Sequence, residues 1–341
     1  MFDYNVPLFI AEISANHLGD FDRAKSLVHA AIDAGASAVK FQTYTAETMT
    51  LDIDIEEFRI SAGHPLWGGR KLFELYNEAH TPWSWHKELF DICKMAIVVP
   101  FSSPFDMTAV DFLESLNAPM YKIASMETGD HSLIRRVAET GKPLIISTGA
   151  TELSEIDELV EVVERAGNKE LTLLVCTSSY PADPIDAHLR RIETLRERFG
   201  VKVGISDHTL GIGVSIAAIA LGATAVEKHL TLRRSDGGAD GAFSMEPEEF
   251  SMLVKEGTAA AQALGQSEWS IQKSEIESRR LRRSLIVTQE VKSGDTITLD
   301  NLRSIRPNIG MSSRNLDKVL GRKFKNQMKP GDGLNQSDIL E

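Results

Sequence analysis

Cysteine is almost missing from this chain, with two residues, Cys93 and Cys176, in 341. Two thiols set in apolar or helical stretches are too few for a disulfide framework and suit a reducing compartment. No apolar run approaches the ~18 residues a membrane span requires, and no basic region precedes an apolar stretch at the start, so a cytoplasmic location is expected. Basic charge is in deficit, with 37 Lys and Arg against 49 Asp and Glu and a formal net charge of −12. That balance argues against nucleic acid or an anionic membrane as the main partner, and it means that an anionic substrate needs a locally positive pocket. A Gly-x-Gly-x-x-Gly turn is also lacking, which counts against an open doubly wound sheet.

What is present is a regular alternation of β-rich and amphipathic helical segments. Strands are expected at 7–13, 38–43, 96–101, 119–125, 143–148, 171–177, 201–207 and 224–230, with helical patterns between them at 20–35, 82–94, 106–116, 151–166 and 187–199, and a last one at 247–264. Asp106, Asp130 and Thr151 have the chemistry of N-caps. Eight β-then-α units in residues 1–265 predict a (β/α)8 TIM barrel. The long excursion at 44–80, with Trp67-Gly68-Gly69-Arg70 and Tyr76, follows the second strand and is expected to cover the active face, although long loops are also used as plain structure.

Beyond residue 265 the pattern changes. Residues 266–283 are polar and end in Arg279-Arg280-Leu281-Arg282-Arg283, a linker whose basic run on its own is equally a solvated face. Residues 284–341 carry Val291-Lys292-Ser293-Gly294-Asp295 and, in looser form, Met328-Lys329-Pro330-Gly331-Asp332, which predicts a small all-β domain of limited independent stability.

Barrel enzymes work at the C-terminal ends of their strands. His208 and His229 close two apolar runs 21 residues apart, and a βα repeat brings such strand ends to one level. The pair therefore reads as a two-imidazole metal site, against the plain alternative of histidines bonded to backbone. Lys40 and Gln42 share one face of the second strand, and Lys122 lies on the fourth. Inward lysines demand anionic partners. Glu12, Glu127 and Glu227 would suffice for a structural ion network, but Ser103, Ser125, Ser147, Ser178 and Ser206 ring the same ends, with Tyr180 just beyond, and make a cradle for phosphate and carboxylate oxygens.

These residues resemble the sialic acid synthase family. The likeness is carried by Ile10-Ala11-Glu12-Ile13-Ser14-Ala15-Asn16-His17, Lys40-Phe41-Gln42-Thr43, Lys122-Ile123-Ala124-Ser125, Ile146-Ser147-Thr148-Gly149, Ser206-Asp207-His208 and Glu227-Lys228-His229. Arg282-Arg283-Ser284-Leu285 and Ile305-Arg306-Pro307 are similar to its antifreeze-like C-terminal domain, a SAF or β-clip fold. Within the family, Tyr44-Thr45, residues 67–72, residues 79–83 and residues 237–247, which include Asp240, look most like the members that form pseudaminic acid. Ser178 stands where sialic-acid-forming members typically carry Asn, which leaves N-acetylneuraminate and legionaminate formation as the runner-up.

The resemblance implies that phosphoenolpyruvate is condensed with an open-chain acetamido hexose. Lys40 and Lys122 would hold phosphoenolpyruvate. His208 and His229 would hold a divalent ion, Mn²⁺ by preference and otherwise Mg²⁺ or Co²⁺, that polarises the aldehyde. Glu12, Glu127 and Glu227 are candidates for sugar contact and proton transfer. Arg306 would reach from one subunit into the partner's barrel, which makes the expected active unit a domain-swapped homodimer. A Schiff-base aldolase and a non-catalytic carbohydrate-binding protein are the rival readings.

Overall fold

Period-two alternation along short strands decides where the site lies. In the computed structural model, β1 (Leu8–Glu12), β2 (Ala38–Thr43), β3 (Val99–Pro104), β4 (Tyr121–Ile123), β5 (Leu144–Ser147), β6 (Leu171–Cys176), β7 (Lys202–Ser206) and β8 (Ala225–His229) form a closed parallel barrel in chain order. It closes through β1 and β8, in register from Leu8↔Ala225 to Glu12↔His229. The structure describes residues 6–64 and 66–340. Residues 1–5, on which the reading of the N-terminal region partly rests, Pro65 and Glu341 lie outside the described residues.

The chain divides into two units, Met1–Gly265 and Gln266–Glu341. In the first, the helices are α1 (Phe21–Asp33), α2 (Ala46–Met49), α3 (Leu72–Ala79), α4 (His86–Met95), α5 (Met107–Ser115), α6 (His131–Ala138), α7 (Leu153–Arg165), α8 (Arg191–Phe199), α9 (Gly213–Ala220) and α10 (Pro247–Ala263). Outward strand residues such as Phe9, Val39, Phe41, Ile146, Leu173 and Val226 pack against these helices in one continuous core.

The inward residues Ile10, Ala38, Phe101, Met120, Ile145, Leu174 and Ala225 form a separate apolar plug. Two residues further along each strand, on the same face, stand Glu12, Lys40, Ser103, Lys122, Ser147, Cys176 and Glu227, all buried. The lumen is thus dry below and polar above. On β7 the plug position is Gly204, where a Cβ would come within 2.4 Å of the Ala225 carbonyl oxygen and 2.8 Å of Leu174 Cδ2. Only glycine lets Leu174 fill the plug there.

Three local expectations are corrected. The third strand begins at Val99 rather than 96, because α4 runs on to Met95, Ala96 caps it and Ile97 turns the chain with a φ of 61°. Ser102 and Ser103 therefore lie within β3, and Ser102 faces outward, its Oγ 2.6 Å from Thr43 Oγ1. Asp106 and Asp130 do cap α5 and α6, accepting from Ala109 N at 2.7 Å and Leu133 N at 3.0 Å. Thr151 does not cap α7. Glu152 does, in a reciprocal box with Glu155, and the Thr151 hydroxyl donates to Gly149 O at 3.0 Å.

In the second unit, β9 (Ser284–Val287) and β10 (Leu302–Ile305) pair antiparallel over a core that includes Leu285, Leu302, Phe324 and Leu334. The repeated motif has a geometric basis. Asp295 accepts from Lys292 N at 2.8 Å and Asp332 from Lys329 N at 2.7 Å, each around a left-handed glycine, Gly294 or Gly331, and the two copies meet at the Val291↔Met328 bridge.

Candidate active site

The polar layer at the barrel mouth is an ion network with unused capacity. Lys40 Nζ is in contact with Glu12 Oε2 and 3.8 Å from Glu227 Oε2, while Lys122 Nζ is 3.9 Å from Glu227 Oε1 and donates to Ile123 O at 3.1 Å. Ser206 Oγ donates to Glu227 Oε1 at 2.9 Å. Gln42 Nε2 reaches Ser14 Oγ at 3.0 Å and Glu12 Oε1 at 3.4 Å.

The environments push the carboxyls apart. Burial raises Glu12 to about 7 against the pull of Lys40, with Glu227 adding to the rise. Glu227 is just as buried, yet Lys122 and Lys40 together hold it below the ordinary carboxylate value. Glu127, at the end of the fourth strand, is raised to about 7 by burial despite Lys122, and its Oε2 is sealed from solvent without a hydrogen-bond partner.

Two lysines with fewer anionic partners than they can serve face buried hydroxyls that bond nothing. Ser103 Oγ and Ser147 Oγ are both sealed and without partners. Ser125 Oγ accepts from Gly149 N at 3.1 Å, and a Cβ on Gly149 would lie 2.3 Å from Ser178 Oγ and 2.9 Å from Ser125 Oγ. The bare glycine keeps these hydroxyls together. Such a set of donors suits a phosphate or carboxylate.

On the other side of the mouth the His208 and His229 rings stand 5.4 Å apart between centroids. His208 Nδ1 donates to Thr177 O at 3.0 Å, and against its burial the neighbouring Cys176 raises its pKa above the ordinary value. His229 Nδ1 is buried without a hydrogen-bond partner, 4.0 Å from Asp240 Oδ2. Burial first, then the charge of His208 and Lys40, keeps His229 well below its usual pKa and therefore neutral. Two adjacent imidazoles, His229 neutral and His208 able to give up its proton to a cation, fit a divalent ion. Among the described residues no group of three His, Cys, Asp or Glu side chains is placed to hold a metal.

Loops complete the walls. The Tyr180 ring is 4.4 Å from that of His208 and 5.0 Å from that of Phe243. Asp240 accepts from Ser14 Oγ and, at 3.3 Å, from Ala15 N. The 44–80 excursion brings Trp67 over the mouth, 5.9 Å from the Tyr180 ring, and Trp67 Nε1 donates to Ala239 O at 2.9 Å. Arg306 belongs to the second unit, where it is exposed just beyond β10.

Sequence reasoning passed over three features. By sequence Cys176 is one of two thiols in apolar or helical stretches, yet it points into the lumen, 3.9 Å from both Ser178 Oγ and His208 Nδ1. Its signal was its place two residues after Leu174. Asn16 clamps the loop after β8 through Leu230 O and Ser244 Oγ, both at 2.9 Å, and nothing in the sequence announces that. Asp207 and Lys228 lie within the quoted motifs but point away from the lumen and pair with each other at 3.2 Å.

A parallel eight-stranded barrel with a cationic, hydroxyl-lined cradle beside a pair of imidazoles has the features of a carbon–carbon bond-forming enzyme that handles an anionic substrate. The NeuB family model matches residues 27–269 and the SAF domain model residues 282–340. The chain belongs to the NeuB family, in agreement with the resemblance read from its motifs. It is 39% identical over 330 residues to the pseudaminic acid synthase of Campylobacter jejuni, covering 97% of this chain and 96% of that one. It is 41% identical over 334 residues to the pseudaminic acid synthase of Helicobacter pylori, covering 98% of each. Among solved structures it is similar to the N-acetylneuraminic acid synthetase of Leptospira borgpetersenii in complex with citrate, with a TM-score of 0.72 and 31% identity over 81% of this chain and 90% of that one.

Proposed function

We propose that this protein condenses phosphoenolpyruvate with 2,4-diacetamido-2,4,6-trideoxy-L-altrose and water to give pseudaminic acid and phosphate. The observation that carries this reading is that Lys40 and Lys122 share one buried inward layer with the partnerless hydroxyls of Ser103 and Ser147, in a chain related over nearly its full length to two pseudaminic acid synthases. The two ammonium groups and the Ser103, Ser125, Ser147, Ser178 and Ser206 hydroxyls bind the phosphate and carboxylate of phosphoenolpyruvate. His208 and His229 hold a divalent ion, Mn²⁺ by preference and Mg²⁺ or Co²⁺ otherwise, which when bound supplies polarisation of the sugar aldehyde. Carbon 3 of phosphoenolpyruvate attacks the aldehyde carbon, whose oxygen takes up a proton to become a hydroxyl. Water adds at carbon 2 and gives up one proton, and the resulting carbon 2 hydroxyl loses its proton to the phosphate as it leaves with the bridging oxygen and the carbonyl forms.

Glu127, poised near neutrality, takes the proton of the attacking water. Glu227, kept ionised between the lysines, fixes them and balances their charge. Glu12, Gln42 and Asp240 orient the sugar, and Tyr180 with Phe243 forms the apolar wall that faces its unhydroxylated carbon 6. Arg306 contacts the sugar from the partner subunit of a homodimer, and the enzyme acts in the cytoplasm.

Mass spectrometry of the product tests the reading. With phosphoenolpyruvate and a panel of acetamido hexoses, pseudaminic acid is expected from the diacetamido sugar. An apolar wall discriminates against one added hydroxyl by only about 10²-fold, so slow turnover of N-acetylmannosamine is compatible with it. A higher kcat/KM for N-acetylmannosamine would replace the assignment with that of an N-acetylneuraminate synthase.

A further inference from the structure

Each presumed metal ligand is preceded in the chain by a charged residue whose side chain leaves the lumen by the opposite face, as strand alternation requires: Asp207 before His208 and Lys228 before His229. The two meet behind the site, with Lys228 Nζ 3.2 Å from Asp207 Oδ2 and both side chains 1% exposed. Lys228 Nζ also donates to Thr209 O at 2.5 Å and to Gly211 O at 3.2 Å. Asp207 accepts from Thr209 N at 2.9 Å, Thr209 Oγ1 at 2.7 Å and Ser215 Oγ at 2.6 Å, the last at the start of α9. One residue of β8 thereby ties down the loop that carries His208, while its neighbour presents the second imidazole.

A buried ion pair is a weak source of stability, because desolvation of both charges offsets their attraction, whereas its geometry is exacting. Apolar residues would fill this shell equally well. They would not fix the Asp207–Gly211 loop against β8.

We propose that Asp207 and Lys228 are positioning residues that hold His208 and His229 at metal-binding separation, and that removing either weakens divalent-ion binding more than it weakens the fold. This rests on the reading of the histidine pair as a metal site.

The test is Mn²⁺ titration followed by electron paramagnetic resonance of the free ion, together with thermal melting of the metal-free protein. Lys228→Met and the charge-free pair Asp207→Leu with Lys228→Met are expected to bind Mn²⁺ about 10- to 100-fold more weakly, the range for loss of groups that orient a ligand. The double variant is expected to recover most of the melting temperature and none of the affinity. Ser215→Ala, which removes a single bond to Asp207, serves if those variants do not fold, and is expected to weaken Mn²⁺ several-fold. Asn168→Ala is the control: Asn168 is buried at the other end of the barrel, donating to Ala138 O and Lys142 O, and its loss is expected to lower the melting temperature with Mn²⁺ affinity unchanged. Wild-type affinity in folded Lys228→Met or Ser215→Ala protein overturns the positioning role alone. If the wild type binds no more Mn²⁺ than His208→Ala, the metal reading is overturned and the positioning role with it.

Discussion

His229 is an imidazole kept neutral in a lysine-rich lumen, with a buried nitrogen that nothing among the described residues satisfies. A native interior rarely leaves such an atom idle, and at a barrel mouth a ligand is the economical explanation. Replacing His208 or His229 by Ala is expected to abolish turnover and Mn²⁺ binding while the far-ultraviolet circular dichroism stays that of the wild type. Turnover that persists through thorough chelation would contradict this. Lys40 and Lys122 differ in a way their positions in the sequence do not reveal. Lys40 is pinned to Glu12, whereas Lys122 has only a carbonyl at hydrogen-bond distance. A charge-assisted contact contributes about 1.5–3 kcal/mol, so Lys122→Met is expected to raise the KM for phosphoenolpyruvate by one to two orders of magnitude and that for the sugar far less. Lys40→Met is expected to do the same and to destabilise the fold as well, because it strands Glu12.

Glu127 supplies the pH dependence. Its carboxyl, raised by burial from 4.5 to about 7, retains a proton in the folded state that the unfolded chain has already released. Its contribution to stability therefore falls as pH rises from 4.5 to 7 and stays lost above that. Glu127→Gln is expected to remove that loss, so that the variant gains on the wild type between pH 5 and 8 in urea melts. The ascending limb of kcat against pH near 7 is expected to vanish with the same substitution. A variant that keeps the limb would assign proton transfer to another group.

At the scale of the element, strand alternation governs both core and chemistry. β7 shows how little slack it leaves, since a methyl group on Gly204 runs into a backbone carbonyl and the Leu174 side chain. Gly204→Ala is expected to cost about 1–3 kcal/mol, as overpacking does, measured by urea unfolding, and to perturb the neighbouring Ser206. The 44–80 excursion acts through few contacts, chief among them Trp67 to Ala239 O and to the Tyr180 ring. Its helical pieces, α2 and α3, were not legible as elements because short turns carry little periodicity. Where periodicity is long, as in α1, α7 and α10, the expected and observed limits agree to within two residues. The misplaced start of β3 has a local cause: Ala96 and Ile97 read as strand by composition but close a helix, and Ile97 is left 94% exposed in a left-handed turn.

At the scale of the whole molecule, the second unit is small, with a ten-residue core, so its retention calls for a reason other than its own stability. The proposed contact of Arg306 with a partner's barrel would supply one. Mixing two inactive full-length variants, Arg306→Ala and His229→Ala, and allowing subunits to exchange is expected to restore partial activity, since one heterodimer barrel then has both its histidines and an intact arginine. Exchange verified by native mass spectrometry without return of activity would mean that Arg306 serves its own barrel or none.

The barrel, the level of its polar layer and the recurrence of the Gly-Asp turn in the second unit are legible in the sequence alone, because each depends on spacing within one strand or one repeat. A residue two places beyond a plug residue shares its face wherever the strand goes, which is why Glu12, Lys40, Lys122 and Glu227 were legible as one layer. Only the tertiary structure decided which groups in that layer neutralise each other and which are left with unspent capacity. Ser14 and Asp240, or Trp67 and Ala239, meet across 226 and 172 residues of chain, and Asp207 finds Lys228 only after β7 and β8 have aligned. Contacts of that kind depend on closure of the ring, and no local pattern encodes the distance between two side chains that closure brings together.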